Sequence, residues 1–90
     1  MNKVIWKFAV PFLHSGEIEM PTGAEIIHVA MQRGGLCMWA KVDPDAMVIE
    51  REFMVEGTGQ PPNRRLHDAT HRGTVFEGSM VWHVFEVEGG

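Results

Sequence analysis

The residues best suited to chemistry lie in one segment, 57–72, in which glycines are followed by arginines and histidines. The segment opens with Gly57-Thr58-Gly59, and successive backbone N–H groups around glycines can form a nest that binds an anion. Arginines bind phosphate through two parallel hydrogen bonds. The side chains that follow are Arg64, Arg65, His67, His71 and Arg72. We therefore predict that this set binds a phosphate-bearing ligand; the commoner alternative is a solvated loop whose charges keep its tip soluble.

Neither a nucleotide-binding fingerprint nor a metal motif is complete in this segment. The glycines are followed by no lysine–serine pair and by no predicted helix, which a Walker loop or a dinucleotide-binding loop requires. His67 and His71 have the spacing of zinc-binding helices, but Asp68 stands where that motif has a glutamate, and no helical period surrounds it. We predict no metal site and no cofactor.

Trp39 is the candidate for contact with a nucleobase, because it falls on the less apolar face of a predicted strand. Core packing is the ordinary role of a tryptophan, whereas stacking on a base is the functional alternative. The single cysteine, Cys37, has no convincing base partner, and we interpret it as an inert buried thiol. Without a nucleophile–base pair or a ligand set, the sequence predicts that the protein is not an enzyme.

The element that positions these residues is a predicted hairpin, 24–42, in which two apolar-rich runs meet at Gly34-Gly35. Two glycines supply the positive φ angles of a tight hairpin turn, so Arg33 should face Leu36 and Met31 should face Met38. One face of the hairpin then carries Ile27, Val29, Met31, Leu36, Met38, Ala40 and Val42. A slip of one residue would exchange the two faces, so the apolar pattern and the turn chemistry agree.

A second predicted hairpin joins residues 74–77 to residues 80–87 through Gly78-Ser79, with Val75 facing Trp82 and Thr74 facing His83. Both of its faces carry large apolar groups. We expect another subunit to cover one of them, in a homodimer or a higher oligomer.

Other alternating runs, separated by proline, glycine and aspartate, predict further short strands. In the run 47–56, Arg51 interrupts the apolar side, and we interpret it as a strand-end or edge arginine whose head reaches solvent. Residues 60–72 form the longest irregular connection. The pattern predicts a single all-β domain, 1–90, with about seven short strands in a small antiparallel meander, a β-sandwich or a partly open barrel.

Charge is distributed unevenly along the chain. The formal net charge is −4, but residues 57–76 carry a local +2, which leaves −6 for the rest. An acidic body argues against direct binding of nucleic acid. No apolar run is long enough to span a membrane, and a single cysteine fits a reducing cytoplasm.

Several segments follow one another in a characteristic order: IWKF (5–8), MPTGAEIIHV (20–29), WAKVDPDA (39–46), EGTGQP (56–61), GTV (73–75) and VWHVFE (81–86). The order resembles a family of small proteins of unknown function that are encoded by tailed bacteriophages. The resemblance covers almost the whole chain and implies a phage gene product in the cytoplasm of a bacterial host, with no catalytic motif to carry over. Small phage accessory proteins often antagonise host defence, which is an association.

We therefore expect a non-enzymatic phage accessory protein that antagonises host defence by binding and sequestering a target. In one mechanism it captures a cyclic or ADP-ribose-type nucleotide immune signal between subunits, with the basic segment on the phosphates and an aromatic on the base. In another, of the anti-CRISPR type, it blocks a defence effector with an acidic strand face of Glu50, Glu52 and Glu56. The basic segment favours capture. A small virion structural or assembly protein is the alternative from another class, because small β domains with open edges assemble readily.

Overall fold

The computed structural model describes residues 2–12, 15–61 and 63–87. These residues form seven β-strands and one 3₁₀ turn, Arg64–Asp68, which confirms the predicted all-β class. The strands are β1 (Val4–Ala9), β2 (Gly16–Pro21), β3 (Glu25–Gln32), β4 (Gly35–Val42), β5 (Val48–Gly57), β6 (Ala69–Glu77) and β7 (Met80–Val87). The described part of the chain has no helix that is long and apolar enough to cross a membrane.

The strands form two antiparallel sheets that pack together as a sandwich. One sheet has the order β1-β4-β3 and the other has the order β2-β5-β7-β6. Of the three architectures that the sequence predicts, the sandwich is the one formed, and the described strands do not close into a barrel. Pairs such as β1–β4 and β2–β5 join strands that are distant in sequence, so turn signals alone do not determine the strand order.

The hydrophobic core lies between the two sheets. Alternate side chains of each strand point to this inner face. On the central strands β4 and β5, Met38, Ala40, Val42 and Phe53 are at most 2 % exposed. The remaining core residues are Val10, Ile18, Met20, Ala24, Val29, Leu36, Val55, Val75 and Val84. The faces that point away from the core are called the outer faces below.

The β3–β4 hairpin forms, but the predicted turn and register are wrong. Arg33 and Gly34 are the turn residues, with φ angles of 52° and 79°. As a result, Met31 lies opposite Leu36 and not opposite Met38. A positive φ costs a non-glycine residue about 1 kcal/mol, which the packing of the hairpin outweighs. Because the register differs from the predicted one by two residues, odd-numbered residues of β3 still face even-numbered residues of β4 around the turn, and the two faces stay separate there.

A β-bulge in β3 also moves residues between faces. The register shifts between Ile26 and His28, so Ile26 pairs with Ala40 and Ile27 is left without a partner on β4. Ile27, which was predicted on the core face, is 47 % exposed, whereas Ile26 packs against the core. An extra residue in one strand reverses the side-chain alternation beyond it, and the apolar pattern Ile26-Ile27 fits either arrangement.

The register predicted for the second hairpin is confirmed: Val75 faces Trp82 and Thr74 faces His83. The prediction that residues 60–72 are irregular is wrong at its end, because β6 begins at Ala69 and contains a bulge between His71 and Gly73. Where β6 crosses β3, a Cβ atom on Gly73 would lie 2.6 Å from the Cβ of Val29. This close approach of the two sheets requires glycine.

Candidate functional site

Four polar side chains form a continuous chain on the outer face of the four-stranded sheet, and we call them the His–Thr chain (Thr58, His83, Thr74 and His71). The Thr58 hydroxyl lies 2.7 Å from His83 Nε2. On the other side of that ring, His83 Nδ1 lies 3.0 Å from Thr74 Oγ1. The same hydroxyl lies 2.9 Å from His71 Nε2. The His–Thr chain therefore links the glycine turn after β5 to both strands of the second hairpin, β6 and β7.

The local fold explains how these side chains meet. Thr74 and His83 are a directly opposed cross-strand pair, so their side chains share one face. His71 is three residues before Thr74 and would point to the opposite face in a regular strand, but the bulge at Arg72 restores it to the outer face. There the His71 ring lies edge-on to Phe85, with centroids 5.3 Å apart. Sequence analysis predicted the pairing of Thr74 with His83 but missed both residues as parts of a site.

The His–Thr chain can donate and accept hydrogen bonds to a polar ligand. Its hydroxyl–imidazole contact has the geometry of a nucleophile and a base, but the second nitrogen of His83 meets the hydroxyl of Thr74 and not a carboxylate. The described residues contain no group of three side chains that could hold a metal ion. The arrangement is suited to binding a polar group on the sheet surface.

The glycine turn uses most of its amide donors internally. The Gly57 N–H donates to Gln60 Oε1 at 2.9 Å, and the Thr58 N–H donates to the Val81 carbonyl at 3.0 Å. Gly59 adopts a φ of 82°, and the Gln60 N–H closes the turn on the Gly57 carbonyl at 3.2 Å. Because two of the N–H groups of the expected anion nest are already bound, the segment is a tight turn in this structure.

Arg65 is held at the other edge of the same outer face. Its Nη2 donates to Glu52 Oε1 at 2.5 Å, and the Ser15 hydroxyl donates to the same carboxylate. The hydrogen bond from Arg65 and then that from Ser15 hold the pKa of Glu52 below its ordinary value. The guanidinium of Arg65 is therefore neutralised by a carboxylate and not presented alone to a phosphate.

Arg72 points to the inner side of the sandwich, where it joins an ion cluster that the sequence did not predict. Its Nη2 lies 2.7 Å from Glu86 Oε1, and Arg51 Nε lies 2.6 Å from Glu86 Oε2. Arg51 Nη1 also donates to the Ala24 carbonyl at 2.7 Å. Burial raises the pKa of Glu86, but the hydrogen bonds from Arg51 and Arg72 outweigh this effect, and the pKa lies below its ordinary value.

The interpretation of Arg51 as an edge arginine that reaches solvent is therefore wrong. Its side chain is 15 % exposed, and from β5 it forms an ion pair with Glu86 on the neighbouring strand β7. Arg51 shares the inner face with Phe53, as its position in the alternating strand requires. A buried carboxylate can hold an arginine on an apolar face, but nothing in the run 47–56 reveals a partner 35 residues away.

The remaining predicted site residues lie elsewhere. Trp39 is half-buried on the outer face of the other sheet, where its ring centroid is 5.8 Å from that of His28. Arg64 and His67 are exposed in the 3₁₀ turn. Among the nine predicted ligand-binding residues, the structure connects Thr58 with His71, through the His–Thr chain. One subunit does not bring the nine residues together, and their role in binding stays a prediction.

A second feature of the outer face is a double row of carboxylates, which we call the acidic face (Glu17, Glu19, Glu50 and Glu52). Glu17 on β2 lies directly opposite Glu52 on β5, and Glu19 lies directly opposite Glu50. Glu17, Glu19 and Glu50 are exposed.

Glu56, which was predicted to belong to this acidic face, does not. It is 6 % exposed, and the amide of Asn63 donates to it at 3.2 Å. Asn63, just before the 3₁₀ turn, lies against this part of β5 and covers Glu56, whereas Glu50 is exposed. Sequence alternation placed Glu56 on the correct face but could not show that Asn63 covers it.

The comparisons with known proteins place the chain without assigning an activity. No curated protein matches it, and no solved structure matches it. The family match is to a domain of unknown function, DUF7352, and it extends over residues 1–90. The chain therefore belongs to the DUF7352 family, a family that is uncharacterised in function.

Proposed function

We propose that this protein is a non-enzymatic binding protein that blocks a host defence protein, and that the acidic face carries the recognition. The observation behind this proposal is the pairing of Glu17 with Glu52 and of Glu19 with Glu50 across β2 and β5. Like charges directly opposite each other destabilise a sheet, by roughly 0.2–1 kcal/mol per pair. A sheet that places them there gains nothing for its own stability, so a bound cationic partner is the best reason for them.

Compensation within the protein is incomplete. Glu52 has Arg65 and Ser15 as partners, but no described side chain forms an ion pair with Glu19 or Glu50. Val48 lies two residues before Glu50 on the same face of β5 and is 55 % exposed. An exposed apolar residue beside a row of charges is suited to a protein partner, because protein interfaces combine an apolar contact with a polar rim.

The partner that fits this surface is the basic, nucleic-acid-binding face of a defence effector. Such a face takes its electrostatic affinity from phosphates, and rows of carboxylates on a twisted sheet offer it comparable negative charge. The resemblance to small proteins of tailed phages supplies the setting: a phage product that acts in the host cytoplasm. Electrostatic complementarity of this kind speeds association and selects the partner.

The test is a charge reversal with a matched control. We would express the protein in bacteria that carry single, defined defence systems and measure phage plaquing. Glu19→Lys with Glu50→Lys should abolish the protection of the phage. Glu25→Lys with Asp68→Lys changes the net charge equally on exposed residues outside the acidic face and should leave protection unchanged. Protection that survives reversal of the acidic face would refute the proposal.

Capture of a nucleotide immune signal is the second candidate. It is supported by the His–Thr chain, which presents hydroxyl and imidazole groups on the outer face. Arg64 is exposed in the 3₁₀ turn. Calorimetry against a panel of cyclic and ADP-ribose-type nucleotides tests it directly. In that case Arg64→Ala with Arg65→Ala should lose binding, because each charge-assisted hydrogen bond contributes about 1.5–3 kcal/mol. If no nucleotide in the panel produces a heat of binding, and plaquing is equal on all hosts, a virion assembly role would be favoured.

A further inference from the structure

Strand β1 has the properties of an unfinished sheet edge. It pairs with β4 on one side only, and no described strand pairs with its other side. Both of its faces are exposed: Ile5 on the outer face is 61 % exposed, and Val4 and Trp6 on the inner face are 41 % and 40 % exposed. Proteins usually protect an open apolar edge of this kind by charge, by shortening or by pairing.

The backbone groups at this edge are oriented for pairing. The Val10 N–H donates to the Leu36 carbonyl at 2.9 Å, and hydrogen-bonded pairs alternate along an antiparallel ladder. Trp6 and Phe8 therefore exchange hydrogen bonds with β4, as Val10 does. The N–H and carbonyl groups of Ile5 and Lys7 point to the open edge instead.

We propose that a second copy of the chain occupies this edge, with β1 pairing antiparallel to β1 of the partner about a two-fold axis normal to the sheet. The two three-stranded sheets then become one sheet of six strands. The hydrogen bonds run between Ile5 and the partner's Lys7 and, by symmetry, between Lys7 and the partner's Ile5. This interface differs from the C-terminal hairpin contact that the sequence predicts, because it uses the edge of β1 and not a face of β6 and β7.

Charge selects the register. The two-fold axis keeps inner faces together, so residues of equal parity must be paired. Placing Trp6 opposite the partner's Trp6 sets Val4 against the partner's Phe8 and Ile5 against the partner's Lys7. A shift of one step in one direction would oppose Lys7 to the partner's Lys7, and a shift in the other would oppose Lys3 to the partner's Lys7. Like charges directly opposite each other are unfavourable.

The lysine of β1 does not block the edge. Lys7 Nζ donates to Gln32 Oε1 at 2.8 Å, so its side chain extends over β4 toward β3 and away from the open side. The exposed inner-face rings and methyl groups of Val4 and Trp6 then meet their counterparts from the partner. Pairing through one six-residue strand is a small interface, so we expect a dissociation constant on the order of micromolar.

The dimer is independent of the proposed function, because β1 and the acidic face belong to different sheets. A two-fold dimer presents two acidic faces. Loss of the dimer and loss of target recognition are therefore separate results.

Sedimentation velocity over a range of micromolar concentrations tests the interface, with circular dichroism to verify folding. Ile5→Lys places a second lysine opposite the partner's Lys7 and should weaken the dimer by about tenfold or more. Ile5→Glu places a carboxylate opposite the same lysine and should keep the dimer. Ile27→Lys makes the matched change at an exposed isoleucine on the far strand of the same sheet and should have no effect.

Three results would overturn the proposal. One is a wild-type protein that stays monomeric throughout the range. Another is equal behaviour of Ile5→Lys and Ile27→Lys. The third is loss of the dimer in Ile5→Glu as complete as in Ile5→Lys, because that outcome means that Ile5 does not face the partner's Lys7.

Discussion

Replacing Glu86 by glutamine should strongly destabilise the protein, because it removes the carboxylate that both Arg51 and Arg72 bind. Glu86 is 8 % exposed and accepts hydrogen bonds from both arginines at 2.6–3.0 Å. Glutamine keeps the shape but leaves two guanidinium groups facing each other across a neutral amide. Removing one partner from a buried ion pair costs about 3–5 kcal/mol.

Solvent reduces this cost, because the side chain of Arg72 is 30 % exposed. We therefore expect Glu86→Gln to lower the free energy of unfolding by about 2–3 kcal/mol. For a domain of this size, that loss corresponds to a drop in Tm of roughly 10–20 °C. Urea denaturation at pH 7 measures the change directly, provided that the slope of the transition stays constant.

The matched control is Glu52→Gln, which makes the same substitution in an ion pair at the surface. Its partner, Arg65, is 44 % exposed, so solvent screens the pair and the expected loss is much smaller than that of Glu86→Gln. A loss for Glu86→Gln as small as that for Glu52→Gln would show that the buried cluster does not stabilise the fold. That result would refute the reasoning.

Three further predictions concern the same fold. The pKa of Glu86 is lowered in the folded state, so the stabilisation of the fold by its carboxylate is complete above the ordinary carboxyl pKa and is lost as pH falls through the lowered value. The urea midpoint of the wild-type protein should therefore fall in acid, and that of Glu86→Gln should fall less. Gly73→Ala should cost about 2 kcal/mol in urea denaturation, because its methyl group would lie 2.6 Å from Val29; a loss below that of Gly35→Ala, where the nearest atom is 3.7 Å away, would contradict the packing. In thermal melting, Trp39→Ala should lose about 2 kcal/mol and Arg64→Ala almost nothing; equal melting temperatures would show that the indole does not support the sheet.

Local chemistry made part of the fold predictable. The turn at Gly78-Ser79 and the alternation around it determine one register, and the structure has that register. The first hairpin shows the limit of the same reasoning. Two neighbouring glycines allow more than one turn, and Arg33 accepts a positive φ angle, so the turn lies one residue earlier than the glycine pair predicts.

The bulges and the strand order could not be predicted from the sequence, because both depend on tertiary packing. The extra residue at Ile27 lies within a run of apolar side chains, so no break in the pattern reveals it. The bulge at Arg72 lies beside Gly73, which the crossing of β6 over β3 requires. Without the strand order, we predicted that the basic segment forms one site. In the structure, Arg65 and Arg72 point to opposite faces of the sheet, and each binds a glutamate.

The acidic face illustrates the same point for function. Alternation placed Glu50 and Glu52 on one face of β5. Only the β2–β5 register shows that the glutamates of β2 lie directly opposite them. The pairing of Glu19 with Glu50 brings like charges together from segments about thirty residues apart. A signal of this kind exists in the sequence only once the partner strand is known.

The most direct test of the central claim is the salt dependence of binding to the defence protein that the plaquing panel identifies. We predict that calorimetry with the wild-type protein gives an affinity that falls steeply as salt increases, because exposed charges are screened. Reversal of Glu19 and Glu50 should abolish this binding, and reversal of Glu25 and Asp68 should preserve it. An affinity that is insensitive to salt and survives reversal of the acidic face would contradict the claim.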